Sequence, residues 1–304
     1  MNAKETDNMP NNDPVPPRIH VIAIGNELLN GETRDTNTFW LIKALTRKGG
    51  KVCRVAIISD DFDSVQREIE VAKAEGIDLV ITTGGLGPTD DDCTFAAIAN
   101  CMRRDLELNE EALGLVKERI HAMAKYRPGL PTELTEERKS MAIIPKGAMP
   151  LRNPAGVAPG ILFIEGGMTV VSLPGVPAEM KAIFSDSLKK FWKDFFKGIC
   201  YVRRNIVLKG IPEAELWPYV RRVLEKDPGV YIKSRLKVVG KIEERDEIIP
   251  PEELPWMIIL HFSVISCTRR EGAERIDKLL TILIDELTTS YNYPLYIDME
   301  PGNV

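Results

Sequence analysis

The chain reads as an α/β protein: a doubly wound, mostly parallel sheet followed by a smaller α+β domain. Three observations predict this. Up to residue 198, short apolar runs alternate with amphipathic stretches. The links between them are short, and glycine follows several of the apolar runs directly. That punctuation suits parallel strands feeding helices on both faces of a sheet. Beyond residue 198 the pattern changes to fewer, longer strands accompanied by two helices.

The elements follow in order. "IHVIAI" (19–24) ends at Gly25 and predicts a buried strand. Residues 36–48 predict a helix, with Trp40, Leu41, Ala44 and Leu45 on one face and "KGG" as its stop. "KVCRVAIIS" is the next strand. Residues 61–75 are helical, with Phe62, Val65, Ile69 and Ala72 at helical spacing. "IDLVITT" is a third strand, and Phe95, Ile98 and Met102 mark the helix after a glycine loop. Residues 109–126 form another helix, followed by the Pro-containing "RPGLPTELTEERK" and a strand at "MAIIP". "GILFIEGGMTVVSLPG" predicts two strands joined at Gly166 and Gly167. Met180, Ile183, Phe184, Leu188, Phe191 and Phe195 predict one long amphipathic helix closing a first domain, residues 18–198. In the second domain, residues 199–304, "YVRRNIVLKG" is a strand and 212–226 a helix with Pro212 in its first turn. "GVYIKSRLKVV" and "WMIILHFSVISC" are strands around a charged, mobile loop, and Ile276, Leu280, Leu283 and Leu287 mark the last helix.

The 304 residues suffice for two domains, and 44% hydrophobic with 28% charged residues is ordinary for a globular protein. A net charge of -5 provides no basic field for nucleic acid or an anionic membrane. No apolar run approaches the roughly 20 residues that span a bilayer. Residues 1–17, rich in Asn and Pro, predict a disordered arm without a signal-peptide core. Five cysteines, an odd number without a CxxC pair, read as reduced thiols of a cytoplasmic protein.

One stretch poses a chemical question. "ITTGGLGPTDDDCT" (81–94) sets glycines, which suit anions, beside three aspartates, which repel them. The loop joins a strand to a helix, so it lies at the carboxyl edge of the sheet, where open α/β folds bind ligands. Its N–H groups and the helix N-terminus could cradle a phosphate. It ends in neither GK[ST] nor GxGxxG. The alternative is a tight turn closed by Asp91 or Asp92 as a helix N-cap. A divalent cation held between carboxylates and phosphate would remove the repulsion. Asp60, in "IISDDFDSV", supplies a second carboxylate at the same edge, unless it caps the helix from residue 61. In "GNELLNGETRDTN", Gly25 permits close approach, Glu27 could hold metal or a ribose hydroxyl, and Thr36 and Asn37 either donate to phosphate or cap their helix. "NPAGVAPG" (153–160) and "LPGVPAEM" (173–180) are either ligand loops or rigid turns. Arg138 and Lys139 could reach a phosphate or remain solvated. His20, His121 and His261 show no metal or triad spacing, and Cys93 reads as packing.

"GNELLNGETRDTN", "DLVITTGGLGPTDDDCT", "NPAGVAPG" and "LPGVPAEMK" together closely resemble the N-terminal domain of competence-damage-inducible protein A (CinA), in the MoaB/Mog-like molybdopterin-binding superfamily. The resemblance covers residues 18–198 specifically; the region 200–299 is similar more loosely to the α+β module that follows in CinA. It implies a doubly wound MoaB/Mog-like domain that binds a pterin phosphate or hydrolyses the diphosphate of ADP-ribose or FAD with a divalent metal, Mg, Mn or Co. It leaves no room for the deamidase domain of longer relatives. By motif, Asp60 and Asp92 become the catalytic, metal-holding carboxylates. Substrate-binding positions are Gly25, Asn26, Glu27, Thr36, Asn37, Thr83, Gly84, Gly85, Leu86, Gly87, Thr89, Thr94, Lys139, Asn153, Gly156, Pro174, Gly175, Pro177 and Glu179. Relatives assemble as dimers or trimers, so a homo-oligomer is implied. Two positions depart from the pattern: Asn26 replaces an Asp, and Asp90 stands where His or Tyr is common. The expected function is therefore a metal-dependent nucleotide diphosphate hydrolase, the alternative a molybdopterin- or nucleotide-binding module without turnover.

Overall fold

The computed structural model describes residues 13–89, 91–126, 129, 131–238 and 250–300. The chain divides into two compact units, Pro17–Lys197 and Gly198–Val304, the latter with the residues before Pro17. The predicted positions 1–12 of the arm, Asp90 and most of the charged loop (239–249) lie outside the described residues.

The first unit runs β1 (Arg18–Ile24), α1 (Asn26–Leu29), α2 (Asn37–Arg47), β2 (Lys51–Ile58), α3 (Phe62–Ala74), β3 (Leu79–Thr83), α4 (Thr94–Cys101), β4 (Leu106–Leu108), α5 (Glu110–Tyr126), α6 (Glu136–Ser140), β5 (Ile143–Pro145), β6 (Met149–Leu151), β7 (Gly160–Glu165), β8 (Met168–Leu173), α7 (Pro177–Ala182) and α8 (Lys189–Phe195). The six-stranded sheet has the order β2-β1-β3-β8-β7-β6. Strands β2, β1, β3 and β8 are parallel; β7 and β6 add antiparallel. Alternation along β1 explains the two layers. Ile22 and Ile24 pack on one face with residues of α3 and α4, including Ile69 and Ile98. Ile19 and Val21 pack on the other with Leu41, Leu45, Phe184 and Trp192. The doubly wound, mostly parallel sheet is the architecture that the sequence predicts.

The predicted long helix after residue 176 is broken. Residues Ile183–Ser187 form a π-helical turn between α7 and α8. Leu188 N–H reaches back five residues to the Ile183 carbonyl at 3.1 Å. The Phe184 carbonyl, which an unbroken helix would give to Leu188, accepts the Trp192 indole N–H at 2.7 Å. The Phe184 ring then packs against Trp40 and Trp192, with centroids 5.1 and 4.6 Å away. Aromatic packing thus overrides the regular helix.

The second unit runs β9 (Cys200–Lys209), α9 (Glu213–Leu224), β10 (Tyr231–Val238), β11 (Trp256–Ser266), α10 (Arg269–Ser290) and β12 (Tyr296–Glu300). Its antiparallel sheet has the order β10-β11-β9-β12. That is the β-α-β-β-α-β ferredoxin-like arrangement. Pro212 precedes α9 rather than entering its first turn. Asp13 belongs to this unit: its carboxylate pairs with Arg275 at 2.6 Å and is 3% exposed. The predicted disorder therefore does not extend to Asp13, because a buried cation holds it.

Candidate functional site

Four loops meet at the carboxyl ends of the parallel strands: Gly25–Glu27 after β1, Ser59–Asp61 after β2, the glycine loop after β3 and Pro174–Val176 after β8. They border a cleft of about 630 Å³. It is lined by Gly25, Glu27, Asp60, Gly84 to Gly87, Asp91, Asp92, Gly156, Pro174, Gly175 and Glu179. Met123, Met141, Ala155, Val157, Ala158 and Val176 supply an apolar wall. Among the described residues five carboxylates and no lysine or arginine line it, so an anionic ligand entering here needs a cation to accompany it.

The glycine loop answers its own puzzle. Asp92 Oδ1 accepts the Gly87 N–H at 2.6 Å. Asp92 Oδ2 accepts the Thr89 N–H at 2.9 Å and the Thr89 hydroxyl at 2.6 Å. The anion that these donors hold is the chain's own carboxylate. A Cβ on Gly87 would fall 2.5 Å from Asp92 Oδ2, so this close approach requires glycine. Gly84 has φ +112°, and its Cβ would strike the Ile24 carbonyl of the neighbouring strand. The Gly84 N–H donates to Leu173 O at 3.0 Å. Of the expected four-residue cradle, only the Gly85 and Leu86 N–H groups have no partner among the described residues. Neither Asp91 nor Asp92 caps α4, whose N-cap is Cys93 without a side-chain bond. Burial pushes the Cys93 thiol up, as expected of a packing residue.

Asp60 does not cap α3. Asp61 does, accepting the Ser64 N–H at 2.8 Å. The Ser59 and Ser64 hydroxyls and that N–H hold the Asp61 carboxyl down at about 2. Asp60 is left to face the cleft, where its Oδ1 accepts the Asn26 amide N–H. An Asp at position 26 could not donate this bond and would repel Asp60, which gives Asn26 a physical reason.

A small notch of about 70 Å³ shares Glu27 and Gly175 with the cleft and adds Arg34, Thr36, Asn37, Thr83 and Pro177. The Asn37 amide donates to Thr83 Oγ1 at 3.0 Å and Gly175 O at 2.7 Å. Its Oδ1 is buried without a partner. Thr36 and Asn37 begin helix α2, but Thr36 makes no side-chain cap bond; Asp35 does, its Oδ1 accepting the Thr38 N–H at 2.9 Å.

Five predicted residues are absent from the lining of the cleft and the notch; Asn26 and Thr89 act there through their bonds to Asp60 and Asp92, and the other three lie apart. Lys139 sits on α6, paired with Glu136 at 2.6 Å. Thr94 is buried and donates to Gly84 O at 3.1 Å. Asn153, 1% exposed, accepts the Ala155 and Gly156 N–H groups and donates to Glu179 Oε2 at 2.7 Å. It positions the loop and Glu179. The sequence reading missed Arg34, and also Met123, on helix α5, and Met141, just after α6, whose apolar side chains give no sign in sequence that they border a cleft. No group of three or more His, Cys, Asp or Glu that could hold a metal occurs among the described residues. No helix there is long and apolar enough to cross a membrane.

Residues 20–194 match the family described as a probable molybdopterin binding domain. A protein of Pyrobaculum calidifontis is 36% identical over 276 residues, 91% of this chain and 98% of its own length. One of Caldivirga maquilingensis is 42% identical over 224 residues, 72% of this chain and 82% of its own length. The crystal structure of the protein CinA with unknown function from Thermoplasma acidophilum is 39% identical and covers 58% of this chain and 98% of its own, with a TM-score of 0.51. The chain therefore belongs to the molybdopterin-binding domain family, as a CinA-like member.

Proposed function

We propose that the cleft binds a phosphorylated heterocycle, a nucleotide or a pterin, together with a divalent cation, and cleaves the diphosphate of an ADP-ribose-like substrate. The observation that carries this reading is that the charged residues described in the cleft are all carboxylates, while its apolar wall suits a flat ring. Asp60 and Asp92 are the carboxylates that would hold Mg, Mn or Co. With no third protein ligand grouped beside them among the described residues, phosphate oxygens or water would complete the shell. Such a cation would supply Lewis acidity at phosphorus and a more acidic water.

The chain's own residues do the rest. Asn26 fixes Asp60 by its amide bond. Thr89 and Gly87 fix Asp92. The Gly85 and Leu86 N–H groups can take charge that develops on a phosphoryl oxygen. The described histidines are elsewhere: His20 is buried beside Glu68, His121 contacts Lys117 O and His261 contacts Asn205. A proton from water would therefore pass to a cleft carboxylate, Glu27 or Glu179.

A second reading, binding without turnover, is favoured by Asn26, which removes one charge, and by Asp92, whose oxygens are already engaged. One experiment separates the two. AMP release from ADP-ribose with Mg, Mn or Co supports the hydrolase. Thermal stabilisation by ADP-ribose, AMP or a pterin phosphate without product supports the binding module. Neither response under any of the metals removes both.

A further inference from the structure

The two edges of the first unit's sheet are unequal. β6 has three residues and contains Pro150, which blunts it. β2 has eight residues without proline, pairs only with β1, and has no buried residue. The central strands β3 and β8 are buried throughout. A register shift leaves Cys53 unpaired with β1, and from Arg54 to Ile58 the strand is regular. Val55 and Ile57 pair with Val21 and Ala23, which places them on the α2 face of the sheet. They are 43% and 42% exposed. Trp40 occupies the flank of α2 that meets Phe184, so helical spacing turns Ile42 toward the other flank, the β2 side. An open strand edge is thus bordered by an apolar strip on one face.

We propose that a second copy of this chain covers this edge, pairing β2 with β2 antiparallel about a twofold axis. Charge selects the orientation. Basic Lys51 opens the strand, and acidic Asp61 and Asp63 follow it. Antiparallel pairing brings opposite charges together, whereas parallel pairing stacks like charges. The regular stretch centres on Ala56, so Val55 of each copy faces Ile57 of the other. This is a β-branched pair made twice by symmetry. The ladder extends six strands to twelve and removes the unprotected edge.

Sedimentation velocity at tens of micromolar tests the association. The wild type should sediment as a dimer, and Val55→Lys as a monomer with an unchanged circular dichroism spectrum, because Val55 is half-exposed and its loss leaves the fold intact. Disulfide trapping tests the register. In a Cys53→Ser background, V55C and I57C proteins should cross-link to doubled mass when mixed and oxidised, and neither should do so alone. A monomeric wild type, a dimer that survives Val55→Lys, or no cross-link in the mixture overturns the proposal.

Discussion

Asp92 and Gly87 close the glycine loop on itself: the Asp92 carboxylate accepts the Gly87 N–H at 2.6 Å while the same oxygen pair binds Thr89. A loop that resembles an empty phosphate cradle is partly filled by its own side chain. The aspartate is held in an anion nest, and its remaining lone pair faces a cleft rich in carboxylates.

Asp92→Asn should therefore cost stability as well as turnover. An amide cannot accept on both sides, and its NH2 would meet an N–H donor. The half-exposed site limits the loss to about 1 kcal/mol. Gly87→Ala should mimic it, by pushing the carboxylate off its donors. Asp91→Asn should leave both stability and turnover near wild type. Denaturant melts and AMP release check the set. An Asp92→Asn protein with unaltered stability would refute the nest.

Asp60 and Asp61 are adjacent and should behave oppositely. Asp61→Ala removes the α3 cap and should cost about 1 kcal/mol, with turnover kept. Asp60→Asn should leave stability within about 0.5 kcal/mol and abolish turnover. The Asp61 carboxyl is depressed to about 2, below its ordinary value. Its contribution is present above that ordinary value and fades as pH falls through about 2. Acid melts of Asp61→Asn, which keeps a cap oxygen, should lack this step.

This pair shows how far the sequence could be read. "SDDFDSV" contains three aspartates, and spacing alone does not say which one caps the helix. Only the chain's path after β2 decides that Asp61 turns to Ser64 and Asp60 to the cleft. The doubly wound layers and the sheet edge where the glycine loops meet followed from apolar runs ending in glycine; the strand order did not. Lys139 went astray because α6 was not legible in a Pro-containing stretch, and its partner Glu136 lies one turn away on that helix. Trp192 broke the predicted long helix through a tertiary hydrogen bond, which no periodicity records.

Asn26→Asp restores a carboxylate where the resemblance expects one, and sets it against Asp60. Without metal the variant should be less stable by roughly 0.5 kcal/mol, since the amide donor is lost and like charges meet. With Mg or Mn its melting temperature should rise more than that of the wild type, because three carboxylates then share the cation. Thermal melts across a metal titration read both effects. An equal metal-induced rise in both proteins would mean that Asp60 is not a ligand.

His20 makes the stability of the first unit pH-dependent. It is fully buried on β1, with Nε2 3.3 Å from Glu68, which also pairs with Arg54 at 3.1 Å. Burial lowers the imidazole pKa; Glu68 and Glu75 oppose this, and Arg54 adds to it. The sign follows. As pH falls through about 6.5, the unfolded chain's His20 takes a proton while the native one stays neutral. The native state therefore loses relative stability from about pH 6.5 down to the depressed native value, by at most ~1.4 kcal/mol per pH unit. Urea melts at pH 7.5, 6.5 and 5.5 should show a steeper acid loss for wild type than for His20→Gln, whose side chain does not titrate. Parallel slopes would assign the acid loss to other groups and leave His20 a packing residue alone.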